Sequence, residues 1–299
     1  MQSLNKQALS FYLVYPFIWL IASLPFGWLY LLSDCLFLLL RLSRYRKKVV
    51  LANLRNSFPD KSPAEINAIC RDYYRYLCDL ILETLRTLKM DEKESRTRCV
   101  FHNTDWLNQL CAAKQSIVIV MGHYGNWEWA GPSFTLATNF QLVVIYRPLS
   151  HPYFEEMMSK MRTRFGTRIT PVNNTLRDMV ANRNQLTATA FIADQTATHE
   201  NSYWTTFLNQ DTAVFIGPEK LAKKFGYPVV YMNVQRTRRG YYEVFPELLF
   251  ADPKTAAENE ISEVFIKRLE QEIVREPVLW LWSHRRWKHP RPAKPELIA

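Results

Sequence analysis

The stretch Ser116-Ile-Val-Ile-Val-Met-Gly-His-Tyr-Gly-Asn-Trp-Glu128 decides how the chain is read. Four β-branched residues in a row followed by Met121 predict a buried strand. The strand runs into a glycine-flanked turn. Such a turn lifts His123 out of a sheet edge, and the helix that follows brings the Glu128 carboxylate back toward it. Working outward, similar apolar or β-branched runs occur at 141–146 (QLVVIY), 186–193 (LTATAFIA) and 227–234 (YPVVYMNV), then YYEVFPELL at 241–249. Amphipathic stretches separate them. Helices are expected over Asn126–Ala137, Pro152–Phe165, Thr175–Asn182, Pro218–Phe225 and Ala256–Arg275, with a hairpin turn at Arg236–Gly240. The alternation predicts an α/β fold: a central mixed sheet flanked by helices.

N-terminal to that core, residues 49–90 carry a helical pattern. It is broken at Phe58-Pro59-Asp60 and restarts at Ser62-Pro63-Ala64-Glu65, where Ser caps and Pro takes the first helical position. Earlier still, residues 8–40 hold a single charge, Asp34, and a run of about 20 apolar residues is enough to cross a bilayer. The segment is too long and too aromatic for a signal peptide. Pro16 and Pro25 would kink or divide it, giving one bent span or a span followed by an interfacial helix. Arg41, Arg44, Arg46, Lys47 and Lys48 follow, against only Lys6 before, which predicts that the rest of the chain faces the cytoplasm. The expected organisation is a membrane anchor over 1–41, single-pass or membrane-embedded, and a cytoplasmic domain over 42–299. Within that domain, 42–100 forms a helical lead-in and 101–299 the α/β core.

A net charge of +10 implies an anionic partner. The charge gathers beside the membrane segment and in Trp280–His289, where indoles alternate with cations that include Arg285 and Arg286. That mixture suits lipid head groups and argues against nucleic acid, while Leu279, Trp280, Leu281 and Trp282 could equally close the sheet as core. The five cysteines are scattered, without a CxxC pair, as expected of reduced thiols in a cytosol-facing domain.

A histidine bonded through one ring nitrogen to a carboxylate is held in one tautomer and made more basic, as a base acting on an alcohol requires. His123 and Glu128 are the expected catalytic pair, with Glu128 orienting the ring. Gly125 and Asn126 would let a substrate approach the backbone. Arg147, at the end of the 141–146 strand, is a phosphate-binding candidate. No metal site is expected: the arrangement is not His-Glu-x-x-His, and no nearby Cys or second His completes one.

Taken in order, several motifs resemble one family: Tyr45-Arg-Lys-Lys-Val-Val, Leu82-Glu83, Gly122-His-Tyr-Gly-Asn-Trp-Glu128, Tyr146-Arg-Pro148, Arg162-x-Arg164-x-Gly166, Asp194-Gln195, Phe215-x-Gly217 and Trp282-x-His284-Arg-Arg-Trp-Lys288. The family is the secondary, lauroyl/myristoyl-type acyltransferases of lipid A biosynthesis, within the wider glycerolipid acyltransferases that share His-x-x-x-x-Asp/Glu. The resemblance implies an enzyme at the bacterial inner membrane. It would transfer an acyl group from an acyl carrier protein thioester to a hydroxyl of a lipid A precursor, without a covalent acyl-enzyme and without a cofactor. It also implies binding roles for one of Arg162 and Arg164, for Asp194 and for Gln195. The passage around Phe215-Ile-Gly217 is shorter than is common in the family, which leaves other membrane lipids open as acceptors: a lysophospholipid, an amino-acid lipid or a glycosylated phosphatidylinositol.

Overall fold

The computed structural model describes residues 2–197 and 202–291; residues 198–201 and 292–299 of the expected core lie outside them. The N-terminal segment is two helices, α1 (Gln2–Ser23) and α2 (Phe26–Ser43), divided at Pro25. Pro16 stays inside α1. Of the two, α2 is long and apolar enough to cross a membrane. One face of α2 nevertheless bonds to the rest of the chain. Leu29, Ser33 and Phe37, spaced four apart, are buried. Tyr30 donates to Glu83 (2.9 Å) and Ser33 to Asp79 (2.6 Å). Arg239 bridges Asp34 (2.8 Å) and Asp79 (2.6 Å). The opposite surface is apolar and open: Leu9, Leu13, Phe17 (67 % exposed) and Leu20 on α1, with Leu31, Leu38 and Leu42 (80 %) on α2.

Next come α3 (Lys47–Ser57) and α4 (Pro63–Arg86). The expected restart is present in full: Ser62 accepts from the Glu65 amide while the Glu65 carboxylate accepts from the Ser62 amide. After α5 (Glu92–Arg98) the α/β core contains β1 (Cys99–Phe101), α6 (Asp105–Ala112), β2 (Ile117–Met121), α7 (Trp127–Ala137), β3 (Gln141–Tyr146), α8 (Pro152–Thr163), β4 (Arg168–Pro171), α9 (Thr175–Ala181) and β5 (Thr187–Ile192). It continues with β6 (Ser202–Phe207), β7 (Gln210–Phe215), α10 (Gly217–Phe225), β8 (Val229–Arg238), β9 (Tyr241–Phe250) and α11 (Glu260–Arg275).

Seven strands form one sheet in the order β1-β9-β8-β2-β5-β3-β4, while β6 and β7 make a separate hairpin. Only the β8–β9 pair is antiparallel in the large sheet, so the sheet is mixed, as the alternation predicts. Both faces are covered. Val118 and Val120 of β2 enter a core with α4, α10, α11, Trp280 and Trp282. Ile117, Ile119 and Met121 enter another with Trp129 and Phe134 of α7. Because β2 fills two cores, 117–121 reads as an unbroken apolar run.

Candidate active site

Strand register builds the site. Strands β2 and β5 are parallel neighbours with Val120 opposite Phe191 and Met121 opposite Ile192. Two residues beyond these ends stand His123 and Asp194, side by side at the carboxyl edge of the sheet, where open α/β folds bind ligands. His123 Nδ1 lies 2.6 Å from Asp194 Oδ1, and the His123 amide donates to Oδ2 at 2.8 Å. Trp280 Nε1 donates to the same Oδ2 at 2.7 Å. Asp194 is fully buried. Burial alone would raise its pKa, yet the attraction of His123 and these donors hold it below the ordinary aspartate value. Nδ1 facing a carboxylate carries the proton, so Nε2 presents its lone pair. The Gln195 side-chain nitrogen lies 3.3 Å from it, and the Trp127 indole meets the imidazole edge-on at 5.0 Å between ring centres.

Local sequence makes this close approach feasible. A Cβ on Gly122 would come within 3.3 Å of Asp194 Oδ2 and 2.7 Å of the Leu269 side chain. Segment 279–281 lies along the turn, with Leu281 N donating to His123 O and Gly125 N to Leu279 O. Trp280 is thereby held over Asp194.

The expectation that Glu128 orients His123 is corrected: the carboxylate on Nδ1 is that of Asp194. Glu128, in the first turn of α7, takes a two-pronged contact from Arg162 of α8, Nη2 to Oε1 at 2.6 Å and Nε to Oε2 at 3.1 Å. Glu128 projects sideways from α7 toward α8, whereas a neighbouring parallel strand delivers a carboxylate to the same sheet edge as His123. Arg162 and Arg164 also separate. Arg164 donates to the Leu88 carbonyl at 2.8 Å and so ties α8 to the end of α4, while Arg162 belongs with Glu128.

Three further expectations are corrected. Asn126 is fully buried. Its Oδ1 accepts from the Trp129 amide, capping α7, and its Nδ2 donates to Glu83 at 2.8 Å. Gly125 is needed for its left-handed backbone (φ +60°) and for contact with β8, since a Cβ would meet Val234 O at 2.8 Å; the neighbour is protein. Arg286 is 2 % exposed and donates to the Ala213 carbonyl at 2.6 Å, and Trp280 and Trp282 are equally buried. That part of the indole–cation cluster is interior. Arg285 is exposed, as is Arg147 at the end of β3.

Sequence reasoning gave Glu83 no chemical role. It is fully buried and accepts from Tyr30 (2.9 Å), Asn126 (2.8 Å) and Tyr242 (2.8 Å), with no cation among these partners. Burial pushes its carboxyl up to about 7. It joins α2, the His123 turn and β9. An acid in an otherwise apolar stretch of α4 was the available signal. No group of side chains suited to holding a metal occurs among the described residues.

The chain is 24 % identical over 277 residues to the lipid A biosynthesis palmitoleoyltransferase of Escherichia coli (strain K12), covering 91 % of this chain and 88 % of that protein. The same figures hold for a lipid A biosynthesis acyltransferase of Shigella flexneri. The model of the bacterial lipid A biosynthesis acyltransferase family matches residues 2–289, nearly the whole chain and every residue of the His123 site, and the chain belongs to that acyltransferase family.

Proposed function

We propose that the chain transfers a fatty acyl group from an acyl carrier protein thioester to a hydroxyl of a lipid A precursor, with His123 as the general base and Asp194 as the group that orients it. The observation that carries this reading is the Asp194–His123–Gln195 line, with a carboxylate on Nδ1 and an amide nitrogen at Nε2. An acceptor hydroxyl that takes the place of the Gln195 amide lies against a lone pair. His123 removes its proton, the oxygen attacks the thioester carbonyl carbon, the carbon–sulfur bond breaks, and the imidazolium returns the proton to the departing thiolate. One proton-transfer group serves both steps, so no acyl-enzyme is required.

Arg162 uses Nε and Nη2 on Glu128, leaving Nη1 for the thioester oxygen or a phosphate of the acceptor. Glu128 fixes the guanidinium plane. The acceptor reaches the site from a membrane: the apolar outer face of α1 and α2 embeds in the cytoplasmic leaflet of the inner membrane, and Arg41 to Lys48 lie at head-group level. Because the inner face of α2 bonds to Asp79, Glu83 and Arg239, the helix lies along the membrane surface beside its domain rather than standing free across the bilayer.

The test is acyl transfer by the purified, detergent-solubilised protein from a long-chain acyl carrier protein to a tetra-acylated lipid A precursor. His123→Ala should lower the rate about 100-fold or more. Equal rates for the two proteins would contradict the assignment of the base.

A further inference from the structure

A cavity lies away from His123 and shares no residue with its site. It has a volume of about 460 Å³ and is bounded by the end of α2, the corner into α3 and the first half of α4. Its inner wall is apolar, with Phe37, Leu40, Ala68 and Tyr74. Its rim carries Arg41, Arg44, Lys47 and Arg71, and no acidic residue lines it. Arg71 pairs with Asp72; Arg41, Arg44 and Lys47 contact no carboxylate among the described residues. The volume is that of a small-ligand site. Three uncompensated cations over an apolar hollow match one chemistry, a single phosphate with an aliphatic chain attached.

We propose that this cavity binds one anionic glycerophospholipid, its phosphate among Arg41, Arg44 and Lys47 and part of an acyl chain against Phe37, Leu40 and Ala68. The inference rests on the membrane placement proposed for α1 and α2. Leu38, Leu39 and Leu42 are exposed on the outer side of the helix that walls the cavity, so the cavity opens where an embedded face meets the head groups. An acidic protein would match the rim and leave the hollow unfilled. The site also reaches the catalytic edge. Tyr74 donates to the Tyr45 carbonyl at 2.5 Å, and Arg46 Nη1 donates to the Ser283 carbonyl at 3.0 Å, three residues past the indole that holds Asp194.

Delipidated full-length protein in neutral detergent is titrated with dioleoylphosphatidylglycerol, with dioleoylphosphatidylcholine and with glycerol 1-phosphate. Retained lipid is counted by native mass spectrometry and Tm is recorded. Wild type and His123→Ala are both expected to retain one phosphatidylglycerol about 10-fold more tightly than phosphatidylcholine, so the outcome is independent of acyl transfer. The triple variant R41Q/R44Q/K47Q should lose the preference, and Ala68→Trp, which fills the hollow without changing charge, should lose retention. Ala64→Trp, at an exposed lining position, carries the same test if Ala68→Trp does not fold. Wild-type retention by the tryptophan variants would overturn the proposal, reducing the effect to surface adsorption. So would competition by glycerol 1-phosphate at equal concentration, or a triple variant that keeps the lipid but loses acyl carrier protein.

Discussion

Two acid–base pairs stand close together in this fold, and they were assembled in different ways. His123 and Asp194 are 71 residues apart and meet because two parallel strands end in register. Glu128 is five residues from His123, yet its partner is Arg162, on the next helix but one strand later. Proximity in sequence was the poorer guide. A helix presents its carboxylate outward, here to the neighbouring helix, whereas strand ends in a parallel sheet collect on one edge. The pairs also differ electrostatically. Asp194 is buried with three polar contacts and has little freedom to move; Arg162 and Glu128 keep 26 % and 12 % side-chain exposure, enough for a substrate to compete for the guanidinium.

The largest effect should follow from breaking the first pair. Asp194→Asn keeps the shape but places an amide opposite groups that must donate. The rate of acyl transfer should fall about 100-fold or more, with KM for the lipid acceptor little changed. A fall confined to KM would move Asp194 from orienting the base to binding substrate.

The second pair predicts a cycle rather than a collapse. Arg162→Ala and Glu128→Ala should each lower kcat/KM roughly 10- to 100-fold, and the double variant should be little worse than either, because the two act as one unit. Arg162→Lys should rescue poorly, since an ammonium lacks the two-pronged contact. Strict additivity of the single losses would mean that Arg162 and Glu128 work separately.

A third carboxylate sharpens the contrast. Glu83 braces the catalytic turn from behind through Asn126, and its carboxyl is pushed up to about 7 by burial. The folded state therefore holds more protons than the unfolded chain between about pH 4.5 and 7, so stability from this group falls as pH rises across that window. Asp194 has the opposite sign: its lowered pKa contributes stability above the ordinary aspartate range, lost only as pH falls below it. Thermal unfolding from pH 5 to 7.5 should show a declining Tm in wild type and a flatter profile in Glu83→Gln. An unchanged slope would place the pH dependence elsewhere.

The α/β core was legible in the sequence because strands filling two cores read as unbroken apolar runs, and the Ser62–Glu65 cap and Pro25 division obey local chemistry. The short edge strands β1 and β4 and the β6–β7 hairpin were not. β1 and β4 are only three and four residues long, and β6 and β7 mix Ser, Thr, Gln and Asp with aromatics, so their pairing is decided by neighbours distant in sequence. At the site, His123 stood out by its turn. Asp194 was marked by its motif; that it faces His123 follows from the strand register, which sets both residues two places past paired strand ends. Asn126 and Arg286 were read as groups facing substrate or lipid because buried amides and guanidiniums are uncommon, and the Glu83 and Ala213 oxygens to which they donate are far away in the chain.

The most direct test of the account is the state of the His123 ring. Nitrogen NMR on protein labelled with 15N-histidine should show an Nδ1-protonated His123 signal, identified by its absence in His123→Ala, that is lost in Asp194→Asn but retained in Glu128→Gln. Loss of that signal in Glu128→Gln with retention in Asp194→Asn would contradict the claim that Asp194 orients the catalytic histidine.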